Sequence, residues 1–552
     1  MSRSRVWGPL CALALAGCGG RSSFWSAPVG SPLTFSLGSE LAVVDTSADR
    51  VVVLTPGADQ TLTTTAVPVG VDILNAATSP DGKKLFVVSG GHRAQLGDPL
   101  PTEPPSITVI TDGVAEPQRY DLKELTEPLA GLAIDPGGQW VVLYPGTGSS
   151  QPYVENPNEL LVVDVSKAPG VVPPVVHTLM SFGGHPQRFT FTPPLALPIG
   201  VHPLLIVESD QDLSLLQLDD MSQPPEITVP LTNGSDTRLL APAGLVVYPG
   251  DASSGAMVGV RLANDTDVVT LQFVPNVDAS GNPVGNGFLP TINLNDVGGT
   301  ASDIAFVRTD SGLRLAALVP TRTKATLIDP VTNLTTDVAL PAGYQNLSVV
   351  TNALGTPSGC STAAASASGP TDVALLWNGA SGQAQTAQSG VAFWALGQAG
   401  CQPYRSIDTV GVSDSVAQVL DVPTPNQTLK VLQTRQAAAF CILNLPNRTA
   451  QPLETINDGF ALAVSPLGDQ VWTFIPGGLT VVGTDFANEL PRSLLIERAV
   501  SGVYELSRPA GSNPAVVVLH DQGGLGATVY DAVTLADSTR RLYSGLLLGD
   551  AP

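Results

Sequence analysis

Basic residues and charge in general are scarce in this sequence. Among its 552 residues, 26 are Lys or Arg and 48 are Asp or Glu, and charged residues make up only 13%. Nucleic acids and anionic lipid headgroups bind surfaces on which Lys and Arg are concentrated, so the net charge of −22 argues against both as partners. The hydrophobic content of 43% excludes a chain that is disordered throughout.

Long apolar runs are also missing. The only such run near the N-terminus, Leu10–Ala16, follows Arg3 and Arg5. At about 1.5 Å per helical residue, it is far too short for the roughly 30 Å core of a bilayer. A basic start with a short apolar core is typical of an export signal. We therefore expect an exported protein that has no transmembrane helix in its mature chain.

The export signal ends in Leu15-Ala16-Gly17-Cys18, which resembles a bacterial lipobox. The resemblance implies cleavage of residues 1–17, lipidation of Cys18, a flexible tether over residues 18–32 and a single body over residues 33–552. Several acyl chains, at about 0.8 kcal/mol per buried CH₂, anchor a protein stably.

Residue Gly19 follows the cysteine, where an aspartate would indicate retention in the inner membrane. The resemblance therefore implies a cell-envelope lipoprotein of the outer membrane. The alternative is an ordinary secretory signal in which Cys18 occurs by chance.

Cysteine and histidine, the usual soft metal ligands, number five each. In an oxidising compartment Cys360 and Cys401, both in Gly/Ser/Ala-rich sequence, are the candidate disulfide, and Cys441 in an apolar run is predicted to be a buried, inert thiol. No two histidines have metal-ligand spacing, although two of them follow Gly-Gly pairs and could meet on one face of a repeat fold. The five are His92, His177, His185, His202 and His520.

Calcium is the one cofactor that the sequence leaves open. The segment Asn276–Asn282 carries side-chain oxygens at alternate positions but lacks the acidic residue that closes a calcium loop. Two loop pairs, Asp210 with Asp212 and Asp265 with Asp267, are similar. We predict ordinary turns at all three places.

Catalytic motifs are absent as well. There is no Gly-x-Ser-x-Gly elbow and no Gly-Lys-Thr phosphate loop, and no metal or catalytic constellation is visible. The glycine-rich segment Gly523–Gly526 lies between two strand-like runs, so it is predicted to be a hairpin turn and not a dinucleotide site.

Short β-branched runs alternate with turns along the body, and helical periodicity is nearly absent. Three segments share the order strand, Pro-x-Gly turn, strand: Thr78–Phe86, Ile134–Val142 and Val464–Trp472. With Val67-Pro68-Val69-Gly70 before the first of them, they resemble the YVTN-type β-propeller repeats of bacterial surface proteins. The likeness covers residues 40–181, returns over 459–548 and is weak between.

The resemblance implies an all-β fold, a β-propeller of four-stranded blades whose four tryptophans Trp140, Trp377, Trp394 and Trp472 pack between blades. Three strand-turn units over residues 40–70 are followed by two four-stranded sets over residues 73–122 and 131–179. Further blades are predicted to start near Gln187, Arg238, Ala301, Gln345, Ser415, Gly459 and Val503. We expect one ring of seven or eight blades, with insertions near Tyr144–Asn158, Asn276–Asn286 and Thr356–Thr371. Two smaller propellers are the alternative.

With an anchor and a repeat fold but no catalytic motif, we expect a non-enzymatic propeller that serves as a platform for binding an envelope protein or a ligand. The alternatives are a metal-dependent propeller enzyme, lactonase-like or lyase-like, and an envelope-assembly scaffold.

The lipobox resemblance makes a direct prediction. The Cys18→Ala protein should remain uncleaved or enter the aqueous phase in detergent phase partitioning, because it lacks the acylated sulfur. The parent and a Cys11→Ala control, altered within the signal, should enter the detergent phase. Equal detergent partitioning of Cys18→Ala and parent would contradict lipid anchoring.

Overall fold

A computed structural model gives the structure of the chain. The residues that it describes are 32–92, 102–125, 127–146, 156–181, 185–220, 226–231, 240–251, 254–309, 312–340, 343–350, 373–377, 391–395, 404–406, 416–423, 425–426, 428–434, 439–445, 449–455, 460–487, 491–508, 512–521 and 525–547. Within these ranges the helices are three short 3-10 turns, Ala58–Gln60, Leu218–Asp220 and Pro320–Arg322. No helix among the described residues has the length and apolarity to cross a membrane.

The described residues form ten four-stranded antiparallel sheets, the blades of an all-β propeller. Blade 1 consists of β1 Leu33–Leu37, β2 Glu40–Asp45, β3 Arg50–Pro56 and β4 Leu62–Pro68, and blade 2 consists of β5 Ile73–Thr78, β6 Lys84–Ser89, β7 Ser106–Thr111 and β8 Gln118–Asp121. Blade 3 consists of β9 Gly131–Ile134, β10 Trp140–Tyr144, β11 Glu159–Asp164 and β12 Val175–Thr178, and blade 5 consists of β19 Pro242–Tyr248, β20 Met257–Leu262, β21 Asp267–Val277 and β22 Pro283–Asp296. Blade 4 consists of β13 Arg188–Phe191, β16 Leu204–Glu208, β17 Asp212–Gln217 and β18 Ile227–Pro230, and between its first two strands lies a separate hairpin of β14 Leu195–Leu197 and β15 Gly200–His202.

Blades 6 to 10 follow the same plan, and their strands pair in chain order. Blade 6 consists of β23 Asp303–Thr309, β24 Gly312–Val319, β25 Lys324–Ile328 and β26 Thr335–Ala339, and blade 7 consists of β27 Asn346–Val350, β28 Val373–Trp377, β29 Val391–Ala395 and β30 Tyr404–Ser406. Blade 8 consists of β31 Val416–Asp421, β32 Leu429–Thr434, β33 Ala439–Asn444 and β34 Thr449–Glu454, and blade 9 consists of β35 Ala461–Val464, β36 Gln470–Phe474, β37 Thr480–Asp485 and β38 Pro491–Leu495. Blade 10 consists of β39 Gly502–Leu506, β40 Ala515–His520, β41 Gly526–Asp531 and β42 Arg541–Tyr543.

The predicted blade count is wrong, although the predicted repeat units are right. Ten blades are present among the described residues instead of seven or eight, and each of the seven predicted blade starts falls within a few residues of an observed first strand. The insertion predicted at Asn276–Asn286 lies where β21 and β22 extend as one long hairpin. The other two predicted insertions lie partly or wholly outside the described residues.

The chain divides into two compact units, residues 1–123 with 423–425 and 460–552, and residues 124–422 with 426–459. The first unit holds blades 1, 2, 9 and 10. Blade 10 packs against blade 1 through a shared apolar cluster, and each of the two blades keeps four strands of its own. Polar contacts reinforce this packing: Tyr543 donates from its hydroxyl to the Gln60 carbonyl at 3.1 Å and accepts from the Leu62 N–H at 3.0 Å.

The second unit holds blades 3 to 8, and each consecutive pair shares an apolar cluster. Strand β16 illustrates why. Leu204 and Ile206 pack towards blade 5, whereas Leu205 and Val207 pack towards blade 3. Successive side chains of a strand point to opposite faces, so a blade buried on both faces needs a continuous apolar run.

The tryptophan prediction is confirmed by these clusters. Trp394 lies between blades 6 and 7 and Trp472 between blades 9 and 10, while Trp140 and Trp377 pack on the edges of the clusters of blades 3–4 and 7–8. All four therefore add buried area at the interfaces between blades.

The three predicted Pro-x-Gly turns are also confirmed. Their glycines, Gly82, Gly138 and Gly468, have φ of 68°, 61° and 69°, in the left-handed region that favours glycine. Each glycine N–H donates to the carbonyl three residues earlier at 2.7–3.0 Å, closing a tight turn between the first two strands of a blade.

Gly70, in the linker from blade 1 to blade 2, tests how tightly the blades are packed. A Cβ at this position would lie 2.6 Å from Cβ of Ser89 and closer still to the hydroxyl of Ser106, both of which are fully buried. We expect Gly70→Ala to cost about 1–3 kcal/mol of stability and to lower the thermal unfolding midpoint.

Gly255→Ala is the matched control, because a Cβ there meets nothing within 4 Å. It should stay within about 0.5 kcal/mol of the parent. Equal midpoints for Gly70→Ala and Gly255→Ala would show that the linker is not packed as described.

Candidate functional site

A row of charged side chains joins blades 4, 5 and 6. We call Arg188, Glu208, Arg261 and Asp303 the charge cluster. Arg188 opens β13 and pairs with Glu208 at the end of β16, with Nη2 and Oε2 3.1 Å apart. The same guanidinium reaches blade 5, donating to the carbonyls of Ala243 at 2.8 Å and Pro242 at 2.9 Å.

Arg261, near the end of β20, continues the row towards blade 6. Its guanidinium donates to the Ala243 carbonyl at 2.6 Å and to the Ala301 carbonyl at 3.4 Å. Asp303, the first residue of β23, then accepts from the Leu347 N–H of blade 7 at 2.8 Å. The first strands of blades 5, 6 and 7 lie side by side. The hydrogen bonds and the ion pair of the charge cluster therefore connect four consecutive blades, 4 to 7.

Burial shifts the ionisation of three members of the charge cluster. Desolvation raises the pKa of Glu208 above its usual value, against the opposing charges of Arg188 and Arg261. Desolvation also raises the pKa of Asp303, against two backbone N–H donors and Arg261. Burial in turn lowers the pKa of the Arg261 guanidinium, although Asp303 and Glu208 favour its charge.

Perturbed, mutually coupled charges are typical of functional sites, and they also occur in structural ion-pair networks. The two side chains of the ion pair differ in their exposure to solvent: that of Arg188 is 48% exposed, whereas that of Glu208 is 3% exposed. The charge cluster therefore offers solvent a guanidinium held in place by buried acceptors, an arrangement suited to binding a carboxylate or a carbonyl group.

A second polar network ties blade 3 to blade 4. The buried carboxylate of Glu226 accepts from the Met180 N–H at 2.8 Å and from Ser214, and it meets His177 Nε2 at 3.0 Å. Burial alone would raise the pKa of Glu226, but these hydrogen bonds outweigh it and lower that pKa below its usual value. In this order Glu226 lies between serine and histidine, so the serine contacts a carboxylate and not the imidazole that activates the nucleophile of a Ser-His-Asp triad.

The five histidines are dispersed among local contacts. Nδ1 of His202 lies 2.8 Å from a carboxylate oxygen of Asp219, and the backbone N–H of His185 donates to the Asp210 carboxylate at 3.4 Å. The imidazole of buried His520 contacts the Thr528 hydroxyl and the Ala499 carbonyl. His92 forms a backbone bridge with Glu103. No group of three or more His, Cys, Asp or Glu side chains in the described part of the chain is arranged to hold a metal ion.

At the possible calcium loop, Asp278 turns its carboxylate onto its own backbone. It accepts from the N–H groups of Ser280 at 2.8 Å and Asn282 at 2.9 Å, as in an ordinary turn. Asp265 likewise accepts from the Asp267 N–H at 2.9 Å, and Asp212 from the Ser181 hydroxyl at 2.9 Å. Asp210 accepts from Gln187 at 2.9 Å.

Of the cysteines discussed above, only Cys441 lies within the described residues. It is fully buried in blade 8, and burial raises the pKa of its thiol to about 12, which suits an inert side chain. Cys18, Cys360 and Cys401 lie outside the described residues. Strands β40 and β41, on either side of the Gly523–Gly526 segment, pair antiparallel, and residues 522–524 between them lie outside the described residues.

The charge cluster was missed by the sequence-based predictions. Glu208 and Arg261 are single charged residues at the ends of apolar strands, with no recognisable spacing between them. The available signal was the cost of burial: a lone charge next to a fully apolar run must find a partner.

No family model and no curated protein sequence matches this chain. Similar solved structures include apo AztD from Citrobacter koseri, at 12% identity and a TM-score of 0.35 over 76% of this chain and 97% of that one. They also include a eukaryotic initiation factor, at 11% and 0.41 over 92% and 95%, and the periplasmic gluconolactonase PpgL of Pseudomonas aeruginosa, at 15% and 0.27 over 55% and 83%. At such values these likenesses carry no functional argument.

The charge cluster makes a prediction about stability. Arg261→Ala would remove the positive charge that faces Glu208 and Asp303 and the hydrogen bonds to the Ala243 and Ala301 carbonyls, so we expect a loss of about 2 kcal/mol and a lower thermal unfolding midpoint. Arg322→Ala, which removes an exposed arginine that donates to the Gly298 carbonyl, should change stability by less than about 0.5 kcal/mol. A neutral Arg261→Ala would mean that the cluster does not hold these blades together.

Proposed function

We propose that the protein is an outer-membrane lipoprotein, anchored through Cys18, whose propeller binds a partner in the cell envelope without catalysing a reaction. The observation that carries the binding role is the half-exposed Arg188 over the buried carboxylate of Glu208. The anchor rests on the lipobox resemblance, and the binding role rests on the charge cluster, so each is tested separately.

The pairing of the charge cluster favours binding over catalysis. Glu208 faces two arginines, and Asp303 accepts two backbone N–H groups as well as facing Arg261. A general acid or base must be able to exchange its proton with a substrate. Glu208 serves instead to orient the guanidinium of Arg188, and Asp303 faces Arg261.

The partner expected at this position carries an acidic or carbonyl-rich loop. An arginine held by fixed acceptors can form paired hydrogen bonds with a carboxylate while losing little side-chain freedom. The net charge of −22 for the chain as a whole opposes a strongly acidic partner at long range. A partner that contacts Arg188 through a single carboxylate or through backbone carbonyls is therefore more compatible with the surface of this protein than a partner with a strongly acidic patch.

Crosslinking in native membranes, followed by purification and mass spectrometry, tests this proposal. We expect the parent to capture one envelope protein in stoichiometric amount and Arg188→Ala to lose most of it. Arg308→Ala is the matched control, because that arginine of blade 6 is also 48% exposed but lies towards the end of a first strand and not at its start.

Retention of the partner by Arg308→Ala and its loss from Arg188→Ala would support the charge cluster as the binding position. Equal capture by both variants would place the partner elsewhere. If the parent captures no protein, the partner-protein role is wrong.

A further inference from the structure

A buried glutamate lies in the interface between blades 9 and 10, and neither the fold nor the proposed binding role accounts for it. Glu505 is in β39, the first strand of blade 10, and is 2% exposed. Its surroundings are the apolar cluster that joins these two blades, with Trp472, Val503 and Val516 among its members. An ionised carboxylate in such a place is costly unless donors surround it.

Only one of its two oxygens is hydrogen-bonded. Trp472 donates from Nε1 to Oε2 at 2.8 Å, whereas Oε1 is buried and has no hydrogen-bond partner among the described residues. Asp469, in the turn before β36, has a buried oxygen in the same condition, Oδ1. Two carboxyl groups from neighbouring blades thus each leave one acceptor without a donor.

The indole that contacts Glu505 is fixed in position. Its ring lies against Gly483 of β37, where an added Cβ would be 2.8 Å from Cη2 of Trp472. As an indole, Trp472 has only one N–H to give, and although the Ser465 hydroxyl also faces Glu505, Oε1 has no hydrogen-bond partner among the described residues. A proton on one of the two carboxyl groups would supply the missing donor.

We propose that Glu505 and Asp469 form a proton-binding site between blades 9 and 10, occupied when the interface is tight and emptied when it loosens. A proton on Oε1 of Glu505 turns that atom into a donor, and Oδ1 of Asp469 is an acceptor without a donor. Loss of the proton leaves two neighbouring carboxylates that repel each other, each with one buried oxygen that has no donor among the described residues.

The groups that face Glu505 favour a protonated side chain near neutral pH. Burial and then the charge of Asp469 raise the pKa of Glu505 to about 7, against hydrogen bonds from Trp472 and Ser465. Of the three groups that act on Glu505, Asp469 carries the ionisable side chain, whereas the Trp472 indole and the Ser465 hydroxyl keep their protons. The site would therefore change occupancy within the range of pH that an envelope protein meets.

The sign of the pH effect follows from the raised pKa. Below the unfolded value of about 4.5, Glu505 is protonated in both states and the interface has its full stability. Between 4.5 and about 7 only the folded state keeps the proton, so stability falls as pH rises, and the loss is complete above 7. A shift of this size corresponds to roughly two orders of magnitude in the folding equilibrium.

Unfolding of the full mature chain at pH 5 and pH 8 tests the proposal. We expect the thermal midpoint of the parent to fall by several degrees between the two, and that of Glu505→Gln to fall much less, because glutamine cannot ionise. Glu497→Gln, which alters a 62% exposed carboxylate, should keep the pH dependence of the parent. Comparing the variants with the parent at each pH cancels the contribution that the shared acidic groups make to the pH dependence of the midpoint.

Hydrogen exchange supplies a local readout. At pH 8, peptides over residues 460–506 should exchange faster in the parent than in Glu505→Gln, and at pH 5 the two should be alike. Comparing proteins at the same pH removes the intrinsic pH dependence of exchange.

If Glu505→Gln fails to fold, Asp469→Asn provides the second test. It removes the repelling charge and adds a donor, so the fall in stability should occur at lower pH than in the parent. Parallel pH profiles for the parent and the folded variants would overturn the proposal. Restoration of the parent at pH 8 by calcium or magnesium would also overturn it, because the site would then hold a cation in place of a proton.

Discussion

The interfaces between blades are the constraint on which the rest of the structure depends. A four-stranded blade is apolar on both faces and cannot bury either one by itself. Strand β2 shows the consequence: Leu41 and Val43 pack against blade 10, while Ala42 and Val44 pack against blade 2. Each strand therefore has to satisfy two neighbours, which is why apolar runs are continuous and why four tryptophans lie at these interfaces. In the unit with both chain ends, blade 10 and blade 1 meet in the same way, by side-chain packing and a few polar contacts.

Polar groups buried at such interfaces define the places where function can be sought. Along blades 4 to 7, carboxylates and backbone carbonyls surround the guanidinium groups of the charge cluster, and the side chain of Arg188 is 48% exposed. Between blades 9 and 10 the neighbours differ, because Glu505 faces the carboxyl group of Asp469, and each of the two has a buried oxygen without a hydrogen-bond partner among the described residues. The same physical rule, that buried polar groups need partners, thus distinguishes a carboxylate that faces arginines, as Glu208 does, from a pair of carboxyl groups that depends on a proton.

The repeat units could be predicted from the sequence because they depend on local chemistry. The Pro-x-Gly turns at Gly82, Gly138 and Gly468 and the alternation of apolar runs with turns locate strands without knowledge of packing. The blade count was wrong because an expected ring size was preferred to the number of units present. The segment near Asn276 was predicted to be an insertion, but its form as the end of a long hairpin depends on the ladder between β21 and β22. The charge cluster was beyond prediction, because Arg188 meets Glu208 only through the register of β13 and β16.

The central claim is that the protein binds an envelope partner where the first strands of blades 4 to 6 begin. Photocrosslinking in living cells tests it most directly, with a photoreactive residue at exposed Gln187, beside Arg188, and another at exposed Asp251, beyond the end of β19. The account predicts one discrete, higher-mass adduct from position 187 and none from position 251. No adduct from position 187, or the same adduct from both positions, would contradict it.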